Sequence, residues 1–226
     1  MRKLLPLLML VCAVALTGCA SATGTTKLNI DARHAYSAPS GTVDNAPTVF
    51  LRNVIDGRVF SEGTGSPADP TPDIKSAAQR DITIGRKRNG FGKALGSIEL
   101  QGGKTVTGIM RSVIEDALAD SGYKVLHDEA SIDKNSLILN AAVTKFWSWS
   151  KWGFWQGYLV TDVAAQIKVP DGNSIPIEVT EEYGVQFGNE EKATASAHKA
   201  LGKFRMAATE KFREMKAQLP AQTAKK

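Results

Sequence analysis

Cysteine is absent beyond position 19: the chain has two, Cys12 and Cys19, among 226 residues. A disulfide-stapled core, a cysteine-based zinc site and a cysteine nucleophile in the folded body are thereby excluded. Histidine is nearly as scarce, and His34, His127 and His198 are far apart in sequence. No His-Glu-x-x-His, Gly-x-Ser-x-Gly or Ser-x-x-Lys pattern has a matching context. His127-Asp128-Glu129 and Glu181-Glu182 carry ligand-capable atoms, but adjacent residues on a strand point to opposite faces, so they read as solvated charges. No catalytic residue, metal site or cofactor is expected, and the chain reads as no enzyme. A surplus of one charge sign is also missing. Lys+Arg is 28 and Asp+Glu is 23; with Arg2 and Lys3 in a removable leader, 26 cations face 23 anions. That is too little to imply nucleic acid. The one long apolar run, residues 4–16, has 13 residues, short of the roughly 20 that span a bilayer core. There is no internal repeat. What is present is ample for folding: 42% hydrophobic and 23% charged residues support a buried core and exclude wholesale disorder. The length suits one domain of ordinary size.

The N-terminus reads as an address. Met1-Arg2-Lys3, the apolar run and small residues before Cys19 make a secretory signal. Leu16-Thr17-Gly18-Cys19 resembles a bacterial lipobox. The resemblance implies diacylation of the Cys19 sulfur, cleavage before it, and acylation of the new amino group. Two or three acyl chains anchor stably where one is marginal. Ala20, where an Asp favours the inner membrane in enterobacteria-like systems, implies the outer membrane. Cys12 leaves with the leader and Cys19 is capped, so the mature chain has no free thiol.

Residues 20–26 are small and polar and read as a tether. Leu28, Ile30, Ala32 and His34 alternate as on a strand, and residues 48–55 suggest a second. Residues 63–72 gather Gly, Pro, Ser and Asp as a loop. Residues 81–85 look like a short strand leading into a basic glycine-rich segment. Val106, Ile109, Met110, Val113, Ile114, Ala117 and Leu118 fall on one helical face, with Thr105 or Thr107 as a cap and Gly122 just past the end. A short strand begins at Tyr123-Lys124-Val125. Three long strands follow over 136–149, 157–169 and 175–187, the last two joined by the Asp171-Gly172-Asn173 turn. A final helix over about 189–218 carries the stripe Ala197, Leu201, Phe204, Ala208, Phe212 and Met215. The expected fold is α+β: an antiparallel or mixed sheet with two amphipathic helices on one face. The expected division is a signal peptide over 1–18, a lipidated tether over 19–26, one domain over 27–219 and a disordered tail over 220–226.

The lipobox, the helical segment 105–118 and Ser121-Gly122-Tyr123-Lys124-Val125 together resemble the YajG-like family of bacterial lipoproteins, in which an amphipathic helix ends in a Gly-Tyr step before a strand-rich segment. The strand, hairpin and C-terminal helix order is similar too. The resemblance is specific over residues 105–125 and a matter of layout over about 5–215. The long loop at 60–75, the basic segment and a tryptophan cluster depart from it. It implies location and fold, and brings no catalytic residue.

Two segments are candidates for function. Residues 85–96 hold four cations (Arg86, Lys87, Arg88, Lys93) and four glycines in twelve positions. Glycines let backbone N–H groups approach a ligand and arginine forks suit phosphate or carboxylate, so contact with an anionic envelope component is expected. The alternative is a solvated loop beside a sheet edge. The segment is no Walker A loop, because Phe91 follows Gly90, and it lacks the dinucleotide spacing. The second segment holds all four tryptophans: Trp147, Trp149, Trp152 and Trp155. Trp147 and Trp149 share a strand face, and Trp152 and Trp155 flank a turn. Such a cluster suggests a partner, a glycan or a membrane interface; core packing beneath the helices is the alternative.

The sequence leads to a non-enzymatic outer-membrane lipoprotein facing the periplasm of a Gram-negative-type bacterium. Its work would be accessory binding or assembly in an envelope complex, with a protein or glycan partner. A carrier or sensor of a small envelope ligand, such as a lipid or peptidoglycan fragment, is the alternative and needs an apolar pocket.

Overall fold

The computed structural model describes residues 24–32, 46–60, 71, 74, 76–88, 93–152, 157–185 and 190–218. Cys19, Trp155 and the 63–70 part of the loop lie outside them. The described chain is α+β with two mixed sheets. One sheet has three strands in the order β1-β4-β3: β1 Thr26–Leu28, β4 Ala94–Leu100 and β3 Thr83–Arg88. The other has five in the order β5-β2-β6-β7-β8: β5 Lys124–Leu126, β2 Thr48–Asp56, β6 Leu137–Trp152, β7 Gly157–Lys168 and β8 Ser174–Val185. Three α-helices are described: α1 Ala77–Ile82, α2 Val106–Asp120 and α3 Glu190–Gln218.

The long meander β6–β7–β8 is antiparallel throughout. Gly172 takes a φ of +89° at its β7–β8 turn, a backbone state that glycine adopts without strain. β2 pairs in parallel with β5 and with the first half of β6. A bulge between Val143 and Lys145 ends that half, and the second half of β6 continues beyond the reach of β2.

Helix α2 forms where its periodicity predicts, and all seven stripe residues are buried. Thr105 accepts a hydrogen bond from Gly108 N–H, and the Asp81 carboxylate accepts from Thr107 N–H at 3.2 Å; both occupy donors that the first turn leaves orphaned. α2 packs on β2 and β5, and α3 on β7 and β8. The helices meet through buried Arg205 of α3, which donates to Asp120 at 2.7 Å and Asp116 at 3.2 Å. One core unites both sheets and both long helices: Leu28, Ile84 and Ile98 belong to the same cluster as Met110, Val163 and Phe204.

The sequence reading is corrected at two places. Asp81 and Ile82 close a short helix rather than open a strand; the strand starts at Thr83 and runs on through the basic residues. Glu181 is buried, because the alternation of β8 turns it toward α3, where Lys203 pairs with it.

Candidate functional site

The basic segment and the tryptophan segment are brought to the same end of the molecule. β3 and β4 form an antiparallel pair, with Arg86 opposite Ser97, Lys87 opposite Gly96 and Arg88 opposite Ala94. The cations therefore sit on and beside a hairpin and not in an irregular loop. Arg86 and Lys87 are half-buried, and Lys93 is exposed just before β4. Gly85 accounts for the glycine at the base: a Cβ there would lie 1.8 Å from the Ser148 carbonyl oxygen. β3 thus runs with its backbone against the second half of β6, the half that β2 does not cover.

That seam is fastened by a residue the sequence reading passed over. Arg58 follows β2 and its side chain is fully buried. It forks onto the Asp56 carboxylate with two bonds of 2.8 Å. Its remaining donors reach Thr83 O at 2.8 Å, Phe146 O at 3.1 Å and Arg80 O at 2.6 Å. One guanidinium thereby joins β3, β6 and α1 where no strand ladder does, using the planar five-donor geometry that lysine lacks. Asp56, Arg58 and Phe60 alternate in sequence, which was the one available signal.

Arg58 also explains Trp147. The Trp147 ring lies 4.7 Å from the Arg58 Cζ and meets Phe60 edge-on at 5.0 Å and 83°. It is only 5% exposed. The register places Trp147 opposite Asp162 and Trp149 opposite Val160, while their neighbours Ser148 and Thr161 join in the hydrogen-bonded group with Ser196 of α3. Trp147 and Trp149 accordingly share the face turned away from α3. Trp147 is neither open to a partner nor packed under the helices; the residue 57–60 strap covers it from outside. Trp149 is half-buried, and Trp152 is the last residue of β6. Beside this row Lys151 pairs with Glu182 at 3.3 Å and Lys145 pairs with Glu178, both across β7. The Glu178 hydrogen bond holds the Lys145 ammonium above its ordinary pKa.

The opposite end holds a groove of about 440 Å³, walled by Leu137, Val169, Ile175 and Met215 and rimmed by Lys211 and Glu214. A smaller cleft of about 260 Å³ lies between Ile30 and Asp31 and the start of α2. Among the described residues no group of three or more His, Asp or Glu could hold a metal ion, and no helix is long and apolar enough to cross a membrane.

No family model matches the chain, and no curated protein matches it. The YajG-like resemblance, specific over residues 105–125 and a matter of layout elsewhere, is matched by no family model. Among solved structures, a Xanthomonas campestris protein of the DUF330 family is 12% identical with a TM-score of 0.45, over 86% of this chain and 99% of that one. The lipoprotein GNA1162 of Neisseria meningitidis is 11% identical with a TM-score of 0.30, over 74% and 98%. PelC of Paraburkholderia phytofirmans, solved as a dodecamer, is 13% identical with a TM-score of 0.29, over 73% and 93%. Likenesses this distant decide nothing about what the chain does.

Proposed function

We propose that the chain is a lipid-anchored, non-enzymatic envelope protein, held by Cys19 at the periplasmic side of the outer membrane, whose work is accessory binding within an envelope assembly. The observation that carries this reading is the lipobox Leu16-Thr17-Gly18-Cys19, five positions before Gly24, which is bonded to Leu95 O in the three-stranded sheet. Confinement to a surface raises the effective concentration of any partner held on the same surface. In this reading the two long helices cover one face of the five-stranded sheet and leave the other, with Trp149 and its charged flank, toward the envelope. The buried charges support binding over catalysis: Arg58, Arg205 and Glu181 are each engaged in bonds that join elements.

Metabolic labelling with palmitate tests the anchor. Label on the wild-type chain and its loss in Cys19→Ser are the expected results; an unlabelled chain recovered at full length in the cytosol defeats the reading. Crosslinking in intact envelopes then identifies the partner.

The groove at the far end favours a second reading, a carrier of a small apolar envelope ligand. Its volume of about 440 Å³ falls in the range of small-molecule sites, although it lies away from the tryptophans. Met215→Trp would fill it. Loss of bound lipid from the purified variant, against retention in wild type, is the outcome that reading requires.

A further inference from the structure

We propose that the β3–β4 hairpin end of the molecule lies on an anionic phospholipid surface, with Arg86, Lys87 and Lys93 facing the headgroups. The inference rests on the lipid-anchored reading and adds an orientation to it.

The topology fixes which end meets the anchor. Gly24 N–H donates to Leu95 O at 2.8 Å, and β1 runs parallel to β4 with Thr26 opposite Ile98. The chain therefore enters the fold at the start of β4, the hairpin end. Arg58 bonds Thr83 O and Phe146 O with one nitrogen, and Gly85 abuts Ser148. β3 thus runs the same way as β6, and the hairpin end coincides with Trp152, the last residue of β6. Four residues lie between Cys19 and Gly24, five Cα steps with a reach of at most about 17 Å. The twelve residues of β7 extend about 40 Å at roughly 3.3 Å each, and the apolar groove lies at their far end. The tether thus keeps the cationic hairpin near the bilayer. The groove lies well beyond the roughly 8 Å over which surface charge acts.

Charge selects the surface. Anionic headgroups attract lysine and arginine held near them, and arginine forks suit phosphate. Among the described residues the acidic groups at this end include Glu182, already paired with Lys151 at 3.3 Å, and Glu190 and Glu191, which open α3 and suit the positive end of its dipole.

Two measurements separate this inference from the anchor reading. In the first, the acylated full chain is reconstituted in phosphatidylcholine vesicles with or without phosphatidylglycerol, after mass spectrometry of Cys19. Its acylated cysteine leaves no competing thiol, so an environment-sensitive dye is placed at Lys93→Cys or Gln218→Cys. The dye at 93 is expected to be shielded and blue-shifted with phosphatidylglycerol and the dye at 218 to stay solvated. Equal environments on an acylated chain overturn the orientation while the anchor stands. In the second, the Cys19→Ser chain without its leader 1–18 is sedimented with the same vesicles, so neither acylation nor the leader plays a part. Changing Arg86, Lys87 and Lys93 to Gln is expected to weaken binding roughly five-fold per cation. Lys93→Gln alone, at an exposed position, serves if the triple variant misfolds. Unchanged vesicle binding overturns the proposal, as does crosslinking of position 93 to an acidic protein in place of lipid.

Discussion

Burying a guanidinium costs several kcal/mol unless its donors are satisfied, and Arg58 satisfies all of them between one carboxylate and three carbonyls. Arg58→Ala strands Asp56 and those carbonyls together, so a loss of about 3–5 kcal/mol in urea unfolding is expected. Arg58→Lys keeps the charge but not the fork, and most of the loss remains. Tyr123 is the opposite case. It is 4% exposed, its hydroxyl finds no hydrogen-bond partner among the described residues, and burial pushes its pKa up to about 12. Tyr123→Phe is expected to stabilise by about 1 kcal/mol, since an unmade bond in the interior is a cost. The pH dependence has a definite sign. The folded phenol holds its proton more tightly than the unfolded one, so this contribution is complete below about pH 10 and fades as pH rises through 12. Alkaline unfolding of the phenylalanine variant should be flatter in that interval. Neither residue shows its role in sequence. Arg58 reads as an ordinary loop cation because its carbonyl partners come from segments up to 88 positions away.

At the scale of elements, periodicity carried the helices. The stripe of α2 is buried in full, and that of α3 is buried from Ala197 to Phe212, because a long amphipathic face has only one way to meet a sheet. The three-stranded sheet was not legible in the same way. β3 is rich in cations and β4 carries glycine, so local propensity speaks against both; their place depends on contact with β6. Gly85 tests that contact. The Cβ of Gly85→Ala would meet backbone at 1.8 Å, and backbone does not yield as a flexible side chain does. Hydrogen exchange should then accelerate in β3 and β4 and stay slow in β6, β7 and β8. Uniform acceleration would mean that the two sheets melt as one unit.

For the whole molecule, the basic and aromatic segments looked like separate candidates in sequence. The parallel run of β3 beside β6 sets them at one end, and no local pattern announces a contact between residues 63 positions apart, such as Gly85 and Ser148. Tryptophan fluorescence checks the resulting distribution. Trp147, enclosed by Arg58 and Phe60, should resist acrylamide, and Trp147→Phe should remove the protected, blue-shifted part of the emission. An unchanged spectrum would place the protected ring elsewhere.

The way the chain enters the domain has a mechanical consequence. β1 leaves the fold lengthwise, parallel to β4, and just beyond it Asp31 N–H is held by His198 Nε2 at 3.0 Å. A pull on the N-terminus therefore loads the β1–β4 bonds in shear, all at once, and does not unzip them one by one. A domain loaded through its N-terminus keeps its grip best in that geometry.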